Sequence, residues 1–263
     1  YCHLSKEFEG SLSGNIGRHR VKSEERVMEE LLYLKNELGI KQIFIEDDAI
    51  FGRKKRAIKI LEKMIDLNFR VMDINGINII HLVKKGKGKF KYEPDTELIQ
   101  LMGKAGFTDF SFPFESGNPT MIKKWASGKW DVENTNVKAL IQTFNDNNIK
   151  MHANYMIGFP DETKEEIYNT IEFAKQNAEW GITTSGFFIV MPLPGTTMFD
   201  YCIENGHLAK DFNIDKMSWR KANMINIGVT PEELEEIRDK AWEDVNSNYW
   251  KENRRELIVA EPE

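Results

Sequence analysis

Lys150-Met151-His152-Ala153-Asn154-Tyr155-Met156-Ile157, then Gly158-Phe159-Pro160-Asp161-Glu162-Thr163, then Lys164 through Ala178: this stretch decides how the rest of the chain is read. The first eight residues form a short, largely apolar run of strand length. Glycine and proline end it. Thr163, with Glu166 three residues on, has the pattern of a capping box and predicts a helix from Lys164 to about Ala178. The stretch is therefore a strand, a turn and a helix, the repeating unit of a parallel sheet with crossover helices.

The same rhythm extends in both directions. Upstream, Ser23 caps an amphipathic helix that runs to Leu38 and stops at Gly39. A strand is expected over Gln42–Glu46, a helix over 54–67, a strand over 69–74, a helix over 96–105 and a strand over 108–112. Helices over 119–125 and 132–147 lead back to the quoted stretch, and a strand over 183–190 follows it. Lys84–Lys91, with two glycines, breaks the pattern and reads as a mobile insertion or surface loop. Thr230-Pro231-Glu232-Glu233 opens a last long helix to about Trp250.

Composition limits the functional classes. The 263 residues carry 36 Lys and Arg against 42 Asp and Glu, a formal charge of -6, with no long block of one sign. A nucleic-acid partner is disfavoured on that ground. Only Cys2 and Cys202 occur, so no disulfide framework is expected, and a reducing, cytoplasmic setting fits best. No apolar run has the roughly 20 residues needed to span a bilayer. The start at Tyr1 without Met suggests a natural polypeptide that extends upstream.

In parallel α/β folds, functional groups gather at the carboxyl ends of the strands. Those ends hold Asp47 and Asp48, Asn75 and Asn78, Glu115 and Ser116, Gly158 to Thr163, and Met191 to Thr197. Each has a plainer reading: Asp47-Asp48 could cap a helix, Asn118-Pro119 could start one, and Thr163 with Glu166 could do no more than cap. Their recurrence at successive strand ends points to a binding mouth. Cys202 is read as a buried structural thiol, and His81, His152 and His207 lack the spacing of a zinc site.

The order of these segments resembles the radical S-adenosylmethionine superfamily, in its cobalamin-linked and methylthiotransferase-like branch. Tyr1-Cys2 with Gly17-Arg18-His19-Arg20-Val21-Lys22-Ser23 is similar to the stretch that closes the family's CxxxCxxC loop. IFIEDDAIF (43–51), FESGNPTMIKKW (114–125), ANYMIGFPDET (153–163) and VMPLPGTTMF (190–199) resemble the acidic second-strand end and the Glu-Ser-Gly, Gly-x-Pro-x-Glu-Thr and Pro-x-Pro-Gly-Thr segments. The resemblance runs from Tyr1 to about Pro194, and more loosely to Trp250.

It implies a partial (β/α)6 TIM-like barrel comprising strands two to six of the family's core over residues 1–200, with a helical extension over 201–263. It also implies a [4Fe-4S] cluster and S-adenosylmethionine as cofactors, with room for cobalamin on an upstream domain, and an electron donor such as flavodoxin or ferredoxin. Cys2 matches the third cluster cysteine. Asp47 or Asp48 would meet the methionine amino group, and Glu115 or Ser116 the ribose or carboxylate. Asn154 would line the cavity; the backbone at Ile157, Gly158 and Phe159 would pack on adenine, with Met191 and Pro192 beyond it. Lys129 lies near a basic residue used in this branch, whereas Asn78 stands where relatives often carry arginine. The expected activity of the intact protein is reductive cleavage of S-adenosylmethionine to a 5'-deoxyadenosyl radical. One cysteine cannot hold four irons, so this chain alone is expected to lack the cluster and to be inactive. The alternatives are a non-catalytic binding or assembly protein that keeps the fold, and an RNA-modifying methylthiotransferase relative. An unpaired sheet edge, with self-association, is also expected.

Overall fold

The computed structural model describes residues 19–47, 49–73, 75–126 and 129–253, with side chains to Asn246. Cys2, Asp48 and Gly17–Arg18 of the Arg-x-Arg segment therefore lie outside the described residues.

The chain divides into two compact units, one formed by the residues up to Pro113 with 127–152, the other by Phe114–Ala126 with Ala153 onward. In the amino-terminal unit, α1 (Glu24–Asn36) begins where the Ser23 hydroxyl accepts the Arg26 N–H. Then follow β1 (Gln42–Ile45), α2 (Lys54–Met64) and β2 (Arg70–Asp73). Next come β3 (Val83–Lys85), β4 (Tyr92–Pro94), α3 (Thr96–Lys104), most of β5 (Phe107–Glu115) and α5 (Val137–Asp146). The carboxy-terminal unit holds α4 (Pro119–Trp125), most of β6 (Lys150–Ile157), α6 (Lys164–Trp180), β7 (Thr184–Ile189), α7 (Thr197–Glu204) and α8 (Pro231–Asn253).

The main sheet has the order β1-β2-β5-β6-β7, with β1 parallel to β2 and β2 parallel to β5. The expected α/β architecture is therefore present, and among the described residues the sheet is open, with β1 and β7 as its outer strands. Alternation decides which face of each strand is covered. In β5, Phe110, Phe112 and Phe114 are buried on one face, while Asp109, Ser111, Pro113 and Glu115 share the other.

In the amino-terminal unit the apolar face packs on α5, with the rings of Phe110 and Phe144 4.6 Å apart. In the other unit, Tyr155 stacks between Phe114 (5.5 Å) and Phe187 (5.4 Å), and its hydroxyl accepts a hydrogen bond from Asn177 Nδ2. Helix α8 lies along β7, where the Asn246 side chain accepts the Ser185 N–H and donates to the Ser185 carbonyl, both at 2.8 Å. That side chain satisfies backbone groups which an outer strand otherwise leaves open.

Three expectations need correction. Lys84–Lys91 is not simply an inserted loop, because its flanks form the antiparallel pair β3–β4 with Val83 opposite Pro94. Three-residue strands are too short to show a period, which is why the sequence hides them. Helix α5 starts at Val137 rather than 132, since Asn136 is its cap and accepts the Ala139 N–H. Strand β5 runs three residues further than expected and carries Glu115 as its last member.

Candidate functional site

The carboxy-terminal unit contains the most built-up strand ends. Glu115 closes β5 with φ +67, a left-handed backbone that non-glycine residues seldom adopt, and its side chain is buried. Beyond β6 the chain turns left-handed at Gly158 (φ +78) and again at Asp161 (φ +64); beyond β7 it does so at Gly195 (φ +81). The left-handed backbone favours glycine at Gly158, and a Cβ there would stand 2.6 Å from Leu234 Cδ2, displacing the end of that side chain.

The turn after β5 is stitched to α6. The Ser116 hydroxyl is fully buried, lies 2.9 Å from the Thr170 hydroxyl and accepts the Asn118 N–H, while Gly117 N–H donates to Thr170. The Ser116 hydroxyl is thus bonded within the fold. Asn118 caps α4 as expected and reaches Glu166 with its amide. The Thr163–Glu166 capping box forms in full.

Between them lies Glu162, the acid of the Gly-x-Pro-x-Glu-Thr segment, to which the sequence assigned no role of its own. Glu162 is fully buried, and its Oε2 accepts the N–H groups of Gly158 (2.6 Å) and Phe159 (3.0 Å). Its Oε1 is buried without a hydrogen-bond partner. Burial pushes this carboxyl up to about 8, against the pull of the Phe159 and Gly158 amides. The Gly-x-Pro-x-Glu-Thr segment marks its position, but nothing in the sequence shows that the side chain turns inward and is buried.

Asn154 is half-buried in β6, its Oδ1 3.3 Å from where a Cβ on Gly186 would sit. Ile157 and Phe159 are fully buried, Pro192 is buried and Met191 half-exposed. The Ile157 carbonyl accepts the Val190 N–H, and Asn223 Nδ2 donates to the Val190 carbonyl. Glu115, Ser116, Asn154, Ile157, Gly158, Phe159, Met191 and Pro192 therefore all belong to one unit.

Asp47 and Lys129 belong to the other unit. Asp47 is exposed at the mouth of a cavity of about 380 Å³ between α1, β1 and α2, walled by Val27, Leu31, Ile43 and Ile45. The 3-10 turn Ile50–Arg53 has Ala49, not Asp47, at its cap position, and that residue gives no side-chain cap. At the end of β2, Asp73 is buried: its Oδ1 accepts the Gly76 N–H at 2.7 Å and its Oδ2 has no partner. Burial raises its carboxyl to about 6, the Gly76 amide lowers it and the Asp47 charge raises it further. One signal was available, since Asp73 shares the strand face of the buried Val71.

At the amino ends of the strands, Asp109 binds Arg70 (3.2 Å) and His152 (3.3 Å). Burial opposes its ionisation, but hydrogen bonds from Thr108, His152 and Arg70 outweigh it and hold Asp109 below the usual range. That end of a parallel sheet serves stability rather than chemistry.

Among the described residues no group of three or more His, Cys, Asp or Glu is placed to hold a metal. Cys202 is buried 3.4 Å from Met224 Sδ, and burial pushes its thiol up to about 12, which makes it an inert core residue. No helix among them is long and apolar enough to cross a membrane.

The sequence profile of the radical SAM superfamily matches residues 1–174. An uncharacterized methyltransferase of Pyrococcus horikoshii is 32% identical over 211 residues, covering 80% of this chain and 40% of the relative. The cytidylyl-2-hydroxyethylphosphonate methyltransferase of Streptomyces wedmorensis is 25% identical over 236 residues, covering 87% and 41%. Among solved structures, the radical S-adenosylmethionine methyltransferase TsrM from Kitasatospora setae, with cobalamin and a [4Fe-4S] cluster bound, aligns with a TM-score of 0.57 at 16% identity. It covers 76% of this chain and 37% of that one, and the likeness is one of fold. The chain spans less than half the length of these relatives.

Proposed function

Because the chain belongs to the radical S-adenosylmethionine superfamily, we propose that it forms the S-adenosylmethionine-binding core of a cobalamin-linked enzyme that transfers a methyl group. The observation that carries this reading is the row of left-handed turns after β5, β6 and β7, at Glu115, Gly158 and Gly195. Glycine at such turns lets backbone approach a ligand closely, and at Glu115 the same conformation stores strain that rigid neighbours must hold. They stand in the same unit as Asn154 and Met191. The names of the relatives support methyl transfer as the outcome.

On this reading Glu115 meets the ribose or the methionine carboxylate, Asn154 lines the same cavity, and the backbone from Ile157 to Phe159, with Met191 and Pro192, covers adenine. Ser116 holds the Glu115 turn in place from behind. Asp47 or Asp48 is proposed for the methionine amino group, and Lys129 for a positive charge. The described residues contain no thiolate set that fits an iron-sulfur cluster. Cys2 is the one ligand this chain would offer, so the cluster requires cysteines beyond those present. When bound, the cluster supplies the electron that cleaves the sulfonium. We further propose a core over 1–200 with 201–263 as its extension, a cytoplasmic setting and a flavodoxin or ferredoxin as donor.

Equilibrium dialysis with labelled S-adenosylmethionine tests the reading. Wild-type protein should bind, and Glu115→Ala and Asn154→Ala should each weaken binding about tenfold, which is ~1.4 kcal/mol. Equal retention by wild type and both variants, or none by the wild type, would end this assignment.

A further inference from the structure

The loop between β6 and α6 is gripped from outside as well as from within. The Asp161 carboxylate accepts hydrogen bonds from Lys124 Nζ (2.8 Å, Oδ2) and from the Tyr201 hydroxyl, and His207 Nε2 stands 3.4 Å from its Oδ1. Trp125 Nε1 donates to the neighbouring Pro160 carbonyl at 3.3 Å. The Lys124 ammonium lies over both neighbouring rings, 4.9 Å from the centroid of Trp125 and 4.6 Å from that of Tyr201. His207 stacks on Tyr201, and its Nδ1 lies 3.3 Å from the Ile225 carbonyl. One carboxylate thus joins the loop to α4, to α7 and to the segment that follows α7.

The backbone makes this arrangement costly. Asp161 has φ +64, where a glycine would rest without strain. A side chain kept at such a position points to a need for the side chain itself. Burial is the largest single influence on Asp161 and opposes its ionisation, but the hydrogen bonds from Lys124 and Tyr201, with the Lys124 charge, together outweigh it and hold the carboxyl below the usual range, so the grip is charged at neutral pH.

We propose that Asp161 is a positioning residue for the nucleoside: through Lys124, Tyr201 and His207 it fixes the Gly158–Phe159 backbone, which places adenine binding under the control of the segment after residue 200. The proposal rests on the binding role given above to Gly158 and Phe159. It differs from that reading in assigning the loop's shape to α4, α7 and their successor rather than to β6 alone.

Three variants separate backbone from charge. Asp161→Gly relieves the left-handed strain but removes the carboxylate, Asp161→Asn keeps a residue tolerant of positive φ but removes the charge, and Tyr201→Phe removes a single donor. We expect dialysis with S-adenosylmethionine to show binding weakened about tenfold in Asp161→Gly and Asp161→Asn, and severalfold in Tyr201→Phe. Chemical denaturation midpoints should stay near wild type in all three. Lys175→Ala, which breaks a surface pair with Glu172 inside α6, serves as the control and should bind as wild type does.

Amide exchange provides a readout that does not need the ligand. Exchange at Gly158 and Phe159 should accelerate at least tenfold in Asp161→Gly, while Tyr155 in the middle of β6 stays protected. Wild-type affinity in Asp161→Gly, or unchanged exchange at Gly158 and Phe159, would overturn the proposal. If wild-type protein binds no nucleoside but exchange responds as expected, the functional assignment has failed while the grip on the loop stands.

Discussion

Asp73 and Glu162 are answers to one local problem in two different units. Each follows or ends a strand of the parallel sheet, each turns its carboxylate back onto backbone N–H groups of the loop beyond, and each leaves one buried oxygen unpaired. Glu162 accepts two amides and Asp73 only one, so a count of hydrogen bonds would make Glu162 the stronger acid. The opposite holds: Glu162 is raised to about 8 and Asp73 to about 6. Desolvation decides the order, because loss of water penalises the whole charge whereas each amide returns only part of it. Burial therefore moves the Glu162 carboxyl further toward its neutral form than that of Asp73.

Breaking the stronger lock should have the largest effect. Glu162→Leu leaves the Gly158 and Phe159 amides buried without acceptors, and should lower stability by about 2–4 kcal/mol in urea denaturation at pH 6. A smaller loss than for Asp73→Ala would reverse the comparison. Glu162→Gln sharpens it through pH. A carboxyl whose folded pKa is raised stabilises the fold at low pH, and that contribution is lost as pH rises from the unfolded value through the folded one. The window for Glu162 therefore runs from about 4.5 to about 8. Wild-type stability should fall relative to Glu162→Gln across it, by several kcal/mol at most, and parallel curves from pH 5 to 9 would show that Glu162 does not titrate there.

Asp73→Ala should cost less, about 1–2 kcal/mol, since one amide is orphaned rather than two. Its pH-dependent part should be confined to the interval from about 4 to about 6. Asp47→Asn should have the smallest effect: it removes one of the influences that raise Asp73, so the Asp73 midpoint followed by carboxyl carbon NMR should move down. An upward shift would mean that Asp47 does not act on Asp73 through its charge.

Legibility followed the reach of each interaction. The Ser23, Asn118 and Thr163 caps were readable because donor and acceptor lie three residues apart or fewer, and the helices they open stand within a few residues of expectation. Strands β6 and β7 were readable as apolar runs between turns. The β3–β4 pair was not, being too short to show a period. The resemblance of the Glu-Ser-Gly segment offered Ser116 as an alternative to Glu115 for the ligand, and the sequence could not show that Thr170, 54 positions away, bonds its hydroxyl. The network around Asp161 was equally hidden, drawing on Lys124 and Tyr201 at separations of 37 and 40 residues.

By itself the sequence determined the alternation of strands and helices, their caps, the family, and the rim at which acidic, glycine and proline residues collect. Those depend on local geometry and on the burial of apolar faces, which a linear pattern records. Only the tertiary structure decided which polar groups on that rim are spent on the fold and which carboxyls lose their charge. Both depend on how much water each group keeps and on partners that the chain brings together from far apart.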